Sequence, residues 1–215
     1  MIVYILLLLI AAAVAYFFGS MSSVVIASNF VFHRNLYRLG SGNALISNFR
    51  RVYGWKGAVK LLLVELVRDI VPILIGGVLL GFKGHAEVGR VFAGFCLVVG
   101  RLYSVFYDMK GSSATLCLVV MGMFADTSAG IAAGVMAAAV TLLSRYVSLG
   151  AVAGAVTLAI TTALVVDDGI IVKLTIYTAL MVALKHIPAI FRILNGKEER
   201  LSFKEDLTYK LDQPF

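Results

Sequence analysis

The segment from Ile2 to Phe18 reads IVYILLLLIAAAVAYFF and contains no charged residue. Such a run can cross a bilayer as a helix, because a spanning helix needs about 20 mainly apolar residues. Ala13-Val14-Ala15 resembles a signal-peptide cleavage site, but no basic residue precedes the run, as a signal peptide requires. We therefore expect this segment to remain in the protein as part of a first transmembrane helix.

The rest of the chain has the same apolar character. Of its 215 residues, 60% are hydrophobic and 14% charged, whereas soluble domains are roughly 45–50% apolar and about 25% charged. This composition excludes a soluble domain and predicts an all-α polytopic membrane protein, formed by residues 1–215 as a single domain. The seven predicted spans are Ile2–Val31, Leu61–Leu80, Val88–Phe106, Thr115–Phe124, Ser128–Leu143, Leu149–Val166 and Gly169–Ile190.

Lysine and arginine are distributed unevenly between the two sides of this predicted bundle. Fourteen fall on the side of the first loop and the tail, and three on the other. Because positive residues collect in cytoplasmic loops, we expect the N-terminus outside and the C-terminus in the cytoplasm. The fourteen are Arg34, Arg38, Arg50, Arg51, Lys56, Lys60, Lys110, Arg145, Lys185, Arg192, Lys197, Arg200, Lys204 and Lys210, and the three are Lys83, Arg90 and Lys173.

The net charge of +7 fits such loops better than it fits a nucleic-acid interface. Cys96 and Cys117 both lie in apolar runs without metal-ligand spacing, so we expect two buried thiols. The fifth and sixth spans are rich in glycine and alanine, which let helix backbones approach closely. We expect no metal, no cofactor and no nucleic-acid partner.

Four predicted cytoplasmic turns carry polar residues of a kind that binds phosphate. The segment Gly40–Arg51 reads GSGNALISNFRR, whose glycines let amide groups point at an anion and whose Arg51 offers a planar fork. Lys110–Thr115 is a Gly/Ser turn at a helix N-terminus, which favours anions. Arg145–Leu149 and the residues His186 to Glu198 complete the set. Each turn alone is compatible with an ordinary basic loop, but their convergence on one membrane face favours a phosphate site.

Several ionisable residues fall inside the predicted spans, where charge is costly and function is the default hypothesis. Glu65 and Arg68 are three residues apart and can pair on one helix face, and Asp69 adds a further acid. Arg101 either extends to the interface or faces a polar cleft.

These residues resemble the bacterial acyl-phosphate-dependent glycerol-3-phosphate acyltransferases of the PlsY type, over nearly the whole chain. In the family's first motif, Gly-Ser-Gly-Asn-x-Gly-x-Thr-Asn-x-x-Arg, Leu45 and Ser47 replace glycine and threonine. Gly19-Ser20 and Arg145–Leu149 resemble two further family segments, and Ala189 replaces an asparagine of the last motif. The matching motif residues are Gly40, Ser41, Gly42, Asn43, Asn48, Arg51, His186, Arg192, Gly196 and Glu198.

The second motif departs from the family pattern, roughly Gly-His-x-x-Pro followed by Lys-Gly-Gly-Lys-Gly-x-Ala-Thr. Arg101 replaces the histidine and Ser104 the proline. Lys110-Gly111 fits, Ser112-Ser113 replaces Gly-Lys, and the turn is two residues shorter. Glu65, Arg68 and Asp69 also replace an acid, a lysine and a glycine of the family.

The resemblance implies transfer of a fatty acyl group from acyl phosphate to the 1-hydroxyl of glycerol 3-phosphate, giving lysophosphatidic acid, in a multi-pass protein of the plasma membrane. Its partners would be acyl phosphate, glycerol 3-phosphate and membrane lipids. It implies catalytic roles for His186, Arg101 and Lys110. The implied substrate-binding residues are Ser20, Ser41, Gly42, Asn43, Asn48, Arg51, Gly111, Ser112, Ser113, Ser148, Arg192, Gly196 and Glu198.

Because the second motif is altered, two interpretations stay open at this point. The chain is either an active or retuned acyltransferase, or a non-catalytic relative that binds a lipid, a phosphate ligand or a protein partner. A channel or transporter is a third interpretation, against which stands the absence of an inverted sequence repeat.

Overall fold

The structure of the chain, a computed structural model, describes residues 2–33, 46–109 and 113–198. The regular elements of these residues are all helical, with a π-helical turn at Ala27–Val31 and a 3-10 turn at Val105–Tyr107. The α-helices are α1 (Ile2–Ser20), α2 (Ser23–Ile26), α3 (Ile46–Gly81), α4 (Ala86–Leu102), α5 (Thr115–Ala125), α6 (Thr127–Ser144), α7 (Val147–Val165) and α8 (Gly169–Leu194).

Among the described helices, α1, α6, α7 and α8 are long and apolar enough to cross a membrane. Many of their large apolar side chains point outward, and Leu143 and Leu164 are 87% and 78% exposed. Water disfavours such a surface, whereas the hydrocarbon core of a bilayer matches it. The protein is therefore an all-helical integral membrane protein, as its composition predicts.

The first two predicted spans differ in their bounds from the helices that the structure shows. The first was expected to continue to Val31, but α1 ends at Ser20, and the Ser22 hydroxyl accepts the Val25 N–H at 3.4 Å to start α2. The second was expected from Leu61, but α3 begins at Ile46 and bends at Gly54. Gly54 has φ 64° and ψ −167°, a conformation that glycine adopts without a Cβ clash.

The chain forms two compact units, which divide within α3 between Arg68 and Asp69. In the larger unit, residues 2–20 and 69–198, α1 and α4 run parallel: Tyr4 contacts His85 at one end, and Gly19 meets Leu97 towards the other. α4 also packs on α5 and α8, and α7 packs on α6 and α8. The C-terminal ends of α1, α4, α6 and α8 lie at the same end of this unit as the N-terminal ends of α5 and α7.

Small residues bring α6 and α7 together within this unit. A Cβ atom added at Gly154 would lie 2.8 Å from Cβ of Ala137 and 3.0 Å from the carbonyl oxygen of Ala133. The glycine is therefore needed for the close approach of the two backbones. The expectation from the glycine- and alanine-rich sequence is confirmed.

The smaller unit, in its described part, contains α2, the π-helical turn and α3 up to Arg68. Phe49 is fully buried in its core, and the rings of Phe32 and Phe49 both stack near that of Tyr53, at centroid distances of 4.1 and 4.7 Å. The remaining core residues are Val24, Ala27 and Leu61, flanked by Val52 and Val64.

Candidate functional site

The C-terminal ends of α1 and α4 are joined by side-chain hydrogen bonds to backbone carbonyls. The Ser20 hydroxyl donates to the Gly100 carbonyl at 3.3 Å, and the Ser104 hydroxyl donates to the Ser20 carbonyl at 2.7 Å. Tyr16 donates to the Tyr103 carbonyl at 2.7 Å. These bonds fix the loop after α4 on α1. The Ser20 hydroxyl is thus bonded within the protein, and its substrate-binding role stays a prediction.

Arg101 lies in the last turn of α4 and is only 8% exposed. Its Nε donates to the Ser113 carbonyl at 3.2 Å, so it does not extend to the interface as one alternative supposed. The hydroxyls of Ser113 and Thr115 are 2.8 Å apart and share a hydrogen bond at the start of α5. Arg101 therefore connects the end of α4 to the turn that begins α5.

His186 is buried near the C-terminal end of α8, with Nδ1 2.8 Å from the Val182 carbonyl oxygen. A carbonyl oxygen only accepts, so Nδ1 carries the hydrogen in this bond. In the neutral ring Nε2 is then an acceptor, which is the state that a general base requires. Nε2 is thus the ring atom at which His186 can accept a proton, and its catalytic role stays a prediction.

Ser148 at the start of α7 and Arg192 near the end of α8 both bind Glu198. The Ser148 hydroxyl donates to Oε1 at 3.1 Å, and Arg192 Nε donates to Oε2 at 2.6 Å. The chain reaches Glu198 through Gly196, whose φ is 66°. The structure thus brings together four predicted site residues that are up to 50 positions apart in sequence.

The pKa of Glu198 lies below its ordinary value, chiefly because Arg192 donates a hydrogen bond to the carboxylate. The Ser148 hydroxyl and the charges of Arg192 and His186 act in the same direction, while burial opposes them. Glu198 is therefore ionised at neutral pH and holds the ends of α7 and α8 together.

Lys185 is a further cation of this region. In the sequence it is recognisable only as one of the basic residues of the tail. Its Nζ lies 3.4 Å from the Met109 carbonyl oxygen and 4.6 Å from the centroid of the Tyr103 ring. It therefore holds the segment after α4 against α8, next to His186. Sequence spacing could not reveal this contact, because Lys185 and Met109 are 76 residues apart.

Part of the predicted site lies outside the described residues. This holds for Ser41, Gly42, Asn43, Lys110, Gly111 and Ser112. Asn48 and Arg51 belong to the first turns of α3, but their side chains are outside the description. Their roles stay predictions.

In the smaller unit, the predicted pairing of Glu65 with Arg68 is confirmed. Oε1 of Glu65 and one terminal nitrogen of Arg68 are 3.9 Å apart, and both side chains are buried. The other terminal nitrogen donates to the Met21 carbonyl at 2.9 Å. These contacts satisfy a charge that would otherwise be costly inside the protein.

Cys96 and Cys117 are buried and are not joined in a disulfide, as expected for core thiols. Within residues 2–33, 46–109 and 113–198, no cluster of three or more His, Cys, Asp or Glu side chains is placed to hold a metal ion. The described site therefore offers cations, hydroxyl donors and one histidine base, which suit the binding of phosphate groups and the transfer of a proton.

Comparison with known proteins gives consistent results. A protein from Thermoanaerobacter sp. (strain X514) named glycerol-3-phosphate acyltransferase is 27% identical over 88% of this chain and 93% of its own length. One of the same name from Methylococcus capsulatus is 33% identical over 86% and 92%.

The fold also matches a crystal structure of PlsY (YgiH), an integral membrane glycerol 3-phosphate acyltransferase, in its glycerol 3-phosphate form. The TM-score is 0.71 at 21% identity, covering 91% of this chain and 96% of the other. The family model described as glycerol-3-phosphate acyltransferase matches residues 9–196. The chain belongs to the glycerol-3-phosphate acyltransferase family.

Proposed function

We propose that this protein is a membrane acyltransferase of phospholipid biosynthesis. It transfers a fatty acyl group from acyl phosphate to the 1-hydroxyl of glycerol 3-phosphate and releases lysophosphatidic acid and inorganic phosphate. The observation that carries the proposal is the family match over residues 9–196, which includes Ser20, Arg101, Ser148, His186 and Arg192. Family membership favours the enzyme over a non-catalytic lipid-binding relative.

The reaction needs little covalent help from the protein, because the acyl phosphate is already activated. The hydroxyl oxygen attacks the carbonyl carbon, the bond from that carbon to the phosphate oxygen breaks, and phosphate leaves with the electron pair. The hydroxyl proton passes to Nε2 of His186 and then to the released phosphate. The remaining task is to position two anions and stabilise the oxyanion that forms.

We assign the positioning of these anions to the predicted cytoplasmic turns. Arg101 holds the turn before α5 through Ser113 and adds positive charge there. Lys110, Gly111 and Ser112 would bind phosphate in that turn. The glycine-rich segment would bind the second phosphate through Ser41, Gly42, Asn43, Asn48 and Arg51. Ser148 and Arg192, ordered by Glu198 and the Gly196 turn, complete the assignment.

The topology belongs to the same proposal. To the four helices that are long and apolar enough to cross a membrane we add the apolar part of α3, together with the shorter α4 and α5. This gives seven spans in a single domain of the plasma membrane. The fourteen-to-three basic asymmetry supports an N-terminus outside and polar turns in the cytoplasm. Glycerol 3-phosphate, a soluble anion, would then enter from the cytoplasm, while the acyl chain stays in lipid.

The donor can be tested with purified protein and labelled glycerol 3-phosphate. Acyl phosphate, acyl-coenzyme A and acyl carrier protein thioester are supplied separately, with glycerol replacing the acceptor as the control. We expect labelled lysophosphatidic acid from acyl phosphate alone. Equal rates with a thioester would show that acyl phosphate is not the specific acyl donor. If no donor gives product, the chain is a non-catalytic relative.

A further inference from the structure

The outer face of α3 between Trp55 and Leu63 carries residues that have no part in the proposed acyltransferase site. Trp55, Val59 and Leu63 are 58%, 56% and 57% exposed and follow one another at four-residue spacing, so they form one apolar column. Lys56 and Lys60 follow the same spacing, are exposed, and form a basic column beside it. This face joins a large aromatic ring, aliphatic side chains and two positive charges.

The two lysines place positive charge on the exposed surface of α3. In the part of the chain that the structure describes, neither lysine forms a salt bridge with a carboxylate. Lys60 Nζ instead lies 5.4 Å from the centroid of the Phe32 ring. The sequence has no Asp or Glu before Glu65, yet it has six lysines and arginines there. A ligand whose charge complements this face is therefore an anion.

The position of the face along α3 identifies the source of that anion. The apolar run of α3 begins at Leu61, so both lysines lie where the helix leaves the hydrocarbon core. Tryptophan concentrates at this depth, and lysine side chains extend from it to the headgroups. Basic residues here attract anionic lipids with about 1 kcal/mol per residue.

We propose that Lys56 and Lys60 bind the phosphate of an anionic phospholipid whose acyl chains lie along Trp55, Val59 and Leu63. A zwitterionic lipid offers the same chains, but its own ammonium group cancels the phosphate charge. The surface therefore selects by net headgroup charge. This inference needs only that the protein spans a membrane and does not depend on the proposed reaction.

Trp55 allows a direct test, because it is the only tryptophan of the chain. The full-length protein is reconstituted in phosphatidylcholine vesicles that contain a minority of chain-brominated lipid, which quenches tryptophan fluorescence on contact. Brominated phosphatidylglycerol should quench Trp55 more than brominated phosphatidylcholine at the same mole fraction. We expect a preference of about fivefold in affinity for each lysine. High salt should remove it, since the screening length falls to about 3 Å at 1 M.

Matched variants locate the effect. Lys56→Gln combined with Lys60→Gln should abolish the preference, whereas Lys173→Gln, an exposed lysine at the N-terminal end of α8, should keep it. Equal quenching of the wild type by both lipids, or a preference that survives the double substitution, overturns the proposal. If the double variant does not fold, the salt titration of the wild type decides, because a preference indifferent to salt also overturns it. A protein partner is excluded as the cause, since the vesicles contain only this chain and lipid.

Discussion

At the scale of single residues, the described site holds its cations in different ways. Arg101 and Lys185 donate to the backbone carbonyls of Ser113 and Met109, and each hydrogen bond joins two elements of the larger unit. Arg192 is instead paired with Glu198, so its first effect is to order the end of α8. Positive potential next to a phosphate-binding turn lowers the energy of a doubly anionic substrate pair.

Arg101→Ala tests the role of the cations that donate to backbone carbonyls. The substitution removes a buried cation and its bond to Ser113, so we expect kcat to fall by roughly 100- to 1,000-fold, as for a lost oxyanion donor. Steady-state kinetics with acyl phosphate measure the change, and helical circular dichroism checks the fold. The matched control is Arg90→Ala on the same helix, whose partner is the exposed Glu87 and whose loss should leave kcat unchanged. Equal effects of both substitutions would remove Arg101 from the site.

Glu198 makes a pH-dependent contribution to stability. Its pKa is lowered in the folded protein, mainly by the hydrogen bond from Arg192. The stabilisation is therefore complete above the ordinary glutamate pKa and is lost as the pH falls through the lower folded value. Between about pH 6 and about pH 3 the Tm of the wild type should fall more steeply than that of Glu198→Gln. Parallel curves in a thermal unfolding series would show that the carboxylate is not coupled to folding.

At the scale of helices, close packing of small residues distinguishes α6 and α7 from helices that meet through large side chains. Gly154 faces the backbone of α6 at Ala133 and the Cβ atom of Ala137. Gly134 in α6 faces only the Val119 side chain, and a Cβ atom added there would lie 3.3 Å from Cγ1 of Val119. The two glycines therefore respond differently to the same added methyl group.

Gly154→Ala should lower the free energy of unfolding by about 1–3 kcal/mol, the usual cost of overpacking. Gly134→Ala should be neutral or stabilising, because alanine favours a helix by about 1 kcal/mol over glycine. Thermal unfolding of both variants in one detergent gives the comparison. A Gly154→Ala variant as stable as Gly134→Ala would mean that α6 and α7 are not closely packed at this point.

The later helices could be predicted from the sequence, because their ends are marked locally. Asp126 and Asp168 cap α6 and α8, and each predicted span in this region begins within two residues of its helix. The end of α1 could not be predicted, since apolar residues continue beyond it. There the carbonyl of Ser20 accepts from Ser104, a contact across 84 residues. The Lys185 contact was missed for the same reason, whereas the bond between Ser148 and Glu198 agrees with the predicted convergence of turns.

At the scale of the whole molecule, the charge asymmetry predicts a topology that single-cysteine labelling can test. Cys96 and Cys117 are buried, so a membrane-impermeant maleimide should react mainly with an introduced cysteine. We expect Lys83→Cys and Asp167→Cys to be labelled in intact cells, and Lys197→Cys only after permeabilisation. The reverse pattern would show the opposite orientation. Labelling of all three in intact cells would show that α8 does not span the membrane, because residues 167 and 197 flank this helix.

We expect this chain to perform acyl transfer in spite of its altered second motif. The most direct measurement is the stoichiometry of the reaction by the purified protein: inorganic phosphate released from acyl phosphate and lysophosphatidic acid formed, with and without glycerol 3-phosphate. We expect equal molar amounts of the two products, and none above background when the acceptor is omitted. Phosphate release that does not depend on glycerol 3-phosphate, or no lysophosphatidic acid at all, would contradict this expectation.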